Sequence, residues 1–199
     1  MKMIGITGGV GAGKSAVIDH LKENPRFLVR KADEIGHLLM EKGTEVFSKI
    51  TELLGEEVIS EDGNIDRTRM GAVIFKDPLI TEKVNNIIHP AVREYIMEDK
   101  EKARLSGRYD IYFLEAALLI ECGYDKICDE LWYIYTAPEV RRERLKISRG
   151  YSDEKIDDIM GRQLQNDEFI KACSRVIDNS GDIGETFKNL DRVLSGYKG

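Results

Sequence analysis

The stretch Gly8-Gly9-Val10-Gly11-Ala12-Gly13-Lys14-Ser15, set directly behind the apolar run Met3-Ile4-Gly5-Ile6-Thr7, fits the pattern G-x-x-x-x-G-K-[ST] in a strand-loop-helix context. Enveloping a polyphosphate requires backbone N–H groups aimed inward at close range, which only a chain almost free of side chains allows. Gly9, Val10, Gly11, Ala12 and Gly13 are therefore the expected nucleotide-binding backbone, continued by Lys14, Ser15 and Ala16 onto the first helix. Lys14 offers a compact positive charge to the β- and γ-phosphates, Ser15 a hydroxyl for Mg²⁺, and the helix N-terminus its partial positive charge. All of these parts point at one anion.

Gly11 to Ala16 also reads as G-x-G-x-x-A, with Asp33 about where a dinucleotide site wants its ribose-binding acid. A dinucleotide fingerprint gives no reason for Lys-Ser at the helix start, whereas a phosphate loop accounts for both. A regulatory GTPase shares the loop, and Asp33-Glu34-Ile35-Gly36 mimics its D-x-x-G switch. The Asn-Lys-x-Asp element that reads guanine in that class is absent from the sequence. A kinase that holds a second substrate is the better reading.

At 199 residues, 42% hydrophobic and 33% charged, the chain suits one globular core with a subsidiary lobe. A net charge of −6 argues against nucleic-acid binding, which needs a basic face. Cys122, Cys128 and Cys173 form no C-x-x-C pair and lie far in sequence from His20, His37 and His89. Neither a disulfide framework nor a zinc site is indicated, and a reducing cytoplasm fits. No apolar run approaches the ~18 residues of a membrane span, and no signal peptide is expected. No obligate protein partner is indicated.

Apolar runs at Met3 to Thr7, Phe27 to Lys31, Asp110 to Leu114, Leu131 to Tyr135 and Arg175 to Ile177 read as strands separated by helical patterns. This is an α/β chain with a five-stranded parallel sheet, the three-layer fold of P-loop NTPases. The first helix turns Val17, Ile18 and Leu21 to the sheet; the last carries Ile183, Phe187, Leu190 and Leu194 on one stripe. The core is expected over about 1–43, 107–138 and 172–199. A helical insert over about 44–106, with a turn at Asp62-Gly63-Asn64 and helical stretches at Leu79 to Ile88 and Ala91 to Leu105, is too large for a connector. It is either a substrate-binding lobe or a packing elaboration.

A helical lid is expected over about 139–171. Thr136-Ala137-Pro138-Glu139 reads as a capping box with Thr136 as N-cap, and the helix it starts breaks at Arg149-Gly150 and restarts behind Ser152 toward Leu164. Of the arginines in this hairpin, Arg144 and Arg149 are the candidates for neutralising a transferring phosphoryl group. Arg141 and Arg142, interleaved with Glu139 and Glu143, read as a solvated face.

In an open parallel sheet, ligands collect at the carboxyl ends of the strands, where Thr7, Asp33 and Glu115 fall. Glu115 is either a carboxylate that orients Mg²⁺ or its water, or the N-terminal charge of a helix starting at Ala116. Asp33 either accepts the proton of an acceptor hydroxyl or caps the helix Glu34 to Lys42.

Beyond the loop, a series of short motifs resembles the dephospho-CoA kinases: Ile6-Thr7 with the paired Gly8-Gly9, Ala32-Asp33, Ile65-Asp66-Arg67, Val73-Ile74-Phe75 and Ile88-His89-Pro90 with Arg93 behind it. Leu118-Leu119-Ile120-Glu121, Arg144-Leu145 and Val176-Ile177-Asp178-Asn179 continue the series in the same order and spacing. The resemblance spans nearly the whole chain. It implies ATP and dephospho-CoA as substrates, transfer to the ribose 3′-hydroxyl, Mg²⁺ with the nucleotide, and Asp33 acting at that hydroxyl. It further implies that His89 and Arg93 line the acceptor site, where Thr7 and Glu115 are also expected from their place at the strand ends; Asn179 either lies near the adenine or belongs to a plain turn, Asp178-Asn179-Ser180-Gly181. Three departures stand out. Lys31 replaces an acid in the family's Asp-Ala-Asp, and Glu115 followed by Ala116 to Glu121 keeps the helix but loses the proline of V-P-L-L-F-E. In the lid, Ser148-Arg149 displaces the family arginine by one residue, which on a helix turns a side chain through about 100 degrees.

Overall fold

Alternation along the strands decides which residues each face of the sheet buries. In the computed structural model, which describes residues 1–197, β1 (Lys2–Thr7), β2 (Phe27–Lys31), β3 (Ile111–Glu115), β4 (Glu130–Tyr135) and β5 (Arg175–Asp178) form one sheet of order β2-β3-β1-β4-β5. β1 pairs in parallel with β3 and with β4, and β4 in parallel with β5. The connection from β1 leads to β2 on one side of the sheet and that from β3 to β4 on the other, so the loop after β1 opens at the topological switch point. Ile4 and Ile6, Ile111 and Phe113, Trp132 and Ile134, and Ile177 bury one face against α1 (Lys14–Lys22) and α9 (Ile183–Ser195). At roughly 1.5–3 kcal/mol per buried large apolar side chain, this layer is a main source of stability for the strand ends that carry the loop. Of the stripe expected on α9, Leu190 and Leu194 are buried, Ile183 is exposed, and Phe187 stacks on His20 at 4.2 Å.

The chain divides into two compact units: Met1–Val29 with the chain from Ser106 onward, and Arg30–Leu105. The second unit contains α2 (Ala32–Leu39), α3 (Glu45–Leu54), α4 (Arg67–Ile74) and α5 (Pro78–Ser106). Its own core gathers Val46, Ile50, Leu54, Val58, Met70 and Val84. Thr44 caps α3 and Asp66 caps α4 by accepting backbone N–H bonds. His89-Pro90 does not separate two helices: α5 runs unbroken through Pro90, whose missing N–H and ring are tolerated within a long helix packed on that core. In the first unit, α6 (Pro138–Arg149) ends on Gly150 in the left-handed conformation at φ 62°, where glycine avoids the Cβ penalty. The chain restarts at α7 (Asp153–Gly161) with Ser152 as N-cap. α7 stops short of Leu164, and a separate α8 (Asn166–Ala172) starts behind a capping box of Gln165 and Glu168.

Candidate active site

The phosphate loop is fixed by what surrounds its glycines. Gly11 and Gly13 have φ of 77° and 81°, in the left-handed region. A Cβ on Gly8 would sit 2.6 Å from the Ile134 carbonyl oxygen, one on Gly9 would overlap the Arg141 guanidinium, and one on Gly13 the Asn179 amide. Close approach from β4, α6 and the turn after β5 thus demands glycine here.

Lys14 curls over this loop. Its Nζ donates to the Gly8 carbonyl oxygen at 2.7 Å and lies 4.0 Å from Glu115 Oε1, both side chains being mostly buried. Glu115 is the last residue of β3, in register with Ile6. No helix starts behind it: residues 117–123 are turns leading to a 3-10 helix, Tyr124–Ile127, so the helix-terminus alternative for Glu115 falls away. The run Ala116 to Ile120 is apolar enough for a helix, yet it is used for local packing, with Ala116 and Leu119 buried. Ser15, in the first turn of α1, is exposed and its hydroxyl makes no hydrogen bond among the described residues. Thr7 is fully buried, and its Oγ1 has no hydrogen-bond partner among the described residues.

Thr136 is not the N-cap of α6. Ala137 takes that position, with Pro138 at the first turn, and the buried Thr136 hydroxyl lies 3.0 Å from the Ala12 and 3.2 Å from the Asn179 carbonyl oxygen. Asn179 is 1% exposed; its Nδ2 donates to the Ala12 oxygen at 2.8 Å and its Oδ1 accepts from Thr186 at 3.1 Å. Arg144 Nη2 donates to the Asn179 oxygen at 2.9 Å. In this structure the Asn179 side chain therefore serves the loop backbone.

Arg141 is likewise not on a solvated face. It is 5% exposed, donates from Nε to the Val10 oxygen at 2.9 Å and from Nη2 to Gln163 Oε1 at 2.9 Å, and that same Oε1 accepts the Val10 N–H at 3.0 Å. Burial pushes its guanidinium below the ordinary arginine value. The i, i+1 charge pattern of α6 could not show this, because only packing decides which side of a highly charged helix meets the loop. Arg142 instead pairs with Asp153 at 2.8 Å and with Asp157, tying α6 to α7, and hydrogen bonding to those carboxylates raises its pKa. Arg149 is exposed, its guanidinium 5.8 Å from the Tyr151 ring centroid. Gln163 and Thr136 had no sequence signal for these roles; each is a neutral side chain whose part comes from a backbone partner far away in sequence.

In the helical unit, Asp33 lies in the first turn of α2, but Lys31 holds the N-cap position, so Asp33 is not the cap. Its carboxylate is exposed and makes no hydrogen bond or ion pair among the described residues. Lys31 reaches Glu34 at 3.0 Å. α2 meets α5 closely at Gly36, where an added Cβ would be 3.8 Å from Val92. His89 and Arg93 stand one helical turn apart on α5 and so share a face. Arg93 is exposed, while His89 is half-buried, and that burial lowers its pKa.

Among the described residues no three His, Cys, Asp or Glu side chains gather to hold a metal unaided. A magnesium ion carried by nucleotide phosphates and water suits this arrangement better than a protein cage, since Mg²⁺ keeps several waters and takes few protein ligands. Ser15 and Glu115 are the side chains that would hold it.

A parallel sheet with a glycine-rich loop at its switch point, a lysine and serine opening the next helix, and an arginine-bearing helical hairpin define a P-loop kinase. The sequence profile of the dephospho-CoA kinase family matches residues 2–185. Dephospho-CoA kinases of Symbiobacterium thermophilum and Aquifex aeolicus are 37% and 36% identical, over 94% and 97% of this chain and 77% and 96% of their own. A solved structure from Thermus thermophilus, TT1252, is 26% identical with a TM-score of 0.83, over 100% of this chain and 98% of its own. The chain belongs to the dephospho-CoA kinase family. It is a transferase that uses ATP to phosphorylate dephospho-CoA in coenzyme A biosynthesis. Among the described residues no helix is long and apolar enough to cross a membrane.

Proposed function

We propose that the γ-phosphoryl group of ATP passes to the ribose 3′-hydroxyl of dephospho-CoA, with Asp33 accepting the proton of that hydroxyl. The observation that carries this reading is the Asp33 carboxylate itself, exposed and committed to no hydrogen bond or ion pair among the described residues, as a group that must receive a proton requires. Phosphoryl transfer leaves the protein mainly positioning and charge stabilisation. Lys14 supplies positive charge at the transferring group; to do so it exchanges the Gly8 carbonyl for phosphate oxygens. Arg144 and Arg149 add charge from the hairpin over about 139–171, which acts as a lid and excludes water.

The loop backbone from Gly9 to Ala16 encloses the phosphates, with the amides of Gly11, Gly13, Lys14 and Ser15 binding them, and Asn179 contributes by holding the Ala12 carbonyl. Ser15 and Glu115 would hold Mg²⁺, which when bound would neutralise phosphate charge. The helical insert, about 44–106, takes the acceptor through His89 and Arg93. The protein works in the cytoplasm and needs neither nucleic acid nor an obligate protein partner. Phosphorus NMR of the product of ATP and dephospho-CoA tests the regiochemistry. A new phosphate on the 3′-oxygen is expected, with AMP a far poorer acceptor because it lacks the remote contacts that orient the hydroxyl. A phosphate elsewhere, or equal efficiency with AMP, refutes the assignment.

A further inference from the structure

The Val10 peptide unit is gripped from both sides. Its N–H donates to Gln163 Oε1 and its carbonyl accepts from Arg141 Nε, while Arg141 Nη2 closes the triangle onto the same Gln163 oxygen. Arg141 lies within the space that Gly9 leaves by lacking a Cβ. It makes no ion pair with a carboxylate among the described residues, so a buried cation is satisfied by two neutral oxygens, one of them from the loop backbone. Burying an arginine this way is costly and is stable only where its hydrogen bonds are held in place. Gln163 is held: its own carbonyl accepts from Gln165 Nε2 at 3.1 Å, while the Gln165–Glu168 box and a Tyr133 hydroxyl bond to Asn166 at 2.8 Å anchor the start of α8.

An amide N–H committed to Gln163 cannot donate to a phosphate. Its orientation also sets the plane from which the next residues depart. We propose that Arg141 and Gln163 are positioning residues of the phosphate loop, a latch that turns the Val10 peptide outward so that the amides of Gly11, Gly13, Lys14 and Ser15 stay aimed at the nucleotide. The alignment of the loop thereby depends on how the end of α7 folds back over α6. This inference rests on the phosphate-loop reading of the site. Only Oε1 of Gln163 is engaged with the latch, so a carboxylate oxygen can replace it and would also pair with Arg141.

The test compares Gln163→Ala with Gln163→Glu. In steady-state kinetics Gln163→Ala should raise KM for ATP about tenfold while KM for dephospho-CoA stays within about twofold, and Gln163→Glu should remain near the parent in both. By ¹⁵N NMR of the ligand-free protein, hydrogen exchange at the Val10 amide should quicken about tenfold in Gln163→Ala and stay protected in Gln163→Glu. The exchange measurement needs no turnover, so it decides the latch even if the kinase reading fails. Unchanged Val10 exchange in Gln163→Ala, an equal rise in KM for both substrates, or a Gln163→Glu variant as impaired as the alanine would each overturn the proposal.

Discussion

Replacing Asn179 by alanine separates a residue that builds the phosphate loop from one that only touches the base. The substitution removes the Nδ2 bond to the Ala12 oxygen and the Oδ1 bond from Thr186, both in a site 1% exposed. Neither partner is stranded. The Ala12 oxygen keeps the Thr136 hydroxyl at 3.0 Å, and the Thr186 hydroxyl keeps the Asp178 oxygen at 3.2 Å. The cost is therefore near the net value of about 1 kcal/mol per bond, with a small cavity added, giving about 2–3 kcal/mol in all. For a chain of this size each kcal/mol lowers Tm by about 2–4 °C, so calorimetry should find a drop of about 5–10 °C. ATP KM should rise as well, because the Ala12 carbonyl and the adjacent Gly13 lose their support. An ATP KM increase with Tm unchanged would show that Asn179 contacts the nucleotide without bracing the loop, and would refute this reasoning.

The same geometry sets the outcome of four further perturbations. Asp33→Asn should lower kcat by about 10²–10⁴ with Tm nearly unmoved, since the carboxylate is exposed and unpaired; retained kcat would remove it from the chemistry. Lys14→Ala should lower kcat by about 10²–10³ while leaving a folded protein by circular dichroism, and near-normal turnover would sink the phosphate-loop mechanism. Burial holds His89 below its ordinary 6.5, so below that value the unfolded chain binds more protons than the folded one. Its contribution is complete above about pH 6.5 and is lost as pH falls through the lower folded value; His89→Gln should flatten Tm against pH there, and an unaltered slope would rule His89 out as its source. Desolvation raises the Cys173 thiol from an ordinary 9.0 to about 11, so its alkylation at pH 8 should run about 100-fold slower than that of an unperturbed thiol. Labelling at the free-thiol rate would contradict that burial.

Local chemistry determines the part of this protein that was legible in its sequence. The glycine spacing before Lys14-Ser15 needs no distant partner to read as a phosphate cradle, because backbone freedom and one cation define it. The strands and their parallel arrangement come from apolar runs alternating with helical patterns, and Gly150 and Ser152 mark the break between α6 and α7 by their own conformational preferences. Ordered motifs carried the family. Three local readings failed once the chain packed. Thr136 has the right neighbours for a cap, but its hydroxyl is spent on Ala12 and Asn179 across the loop. Arg141 sits among glutamates like a solvated charge, yet α6 turns it inward to Val10 and Gln163. The stretch after Glu115 has a helical composition, but its apolar residues are taken up as turns.

By itself, then, the sequence determined the phosphate loop, the parallel α/β fold and the class of reaction, since those depend on residue types at short spacing. Tertiary structure alone decided how the loop is braced, by Arg141, Gln163, Thr136, Asn179 and Arg144. Most of these bonds end on backbone groups, and a backbone carbonyl is the same at every residue. No pattern in the sequence can show which one a distant side chain will meet until the chain has packed.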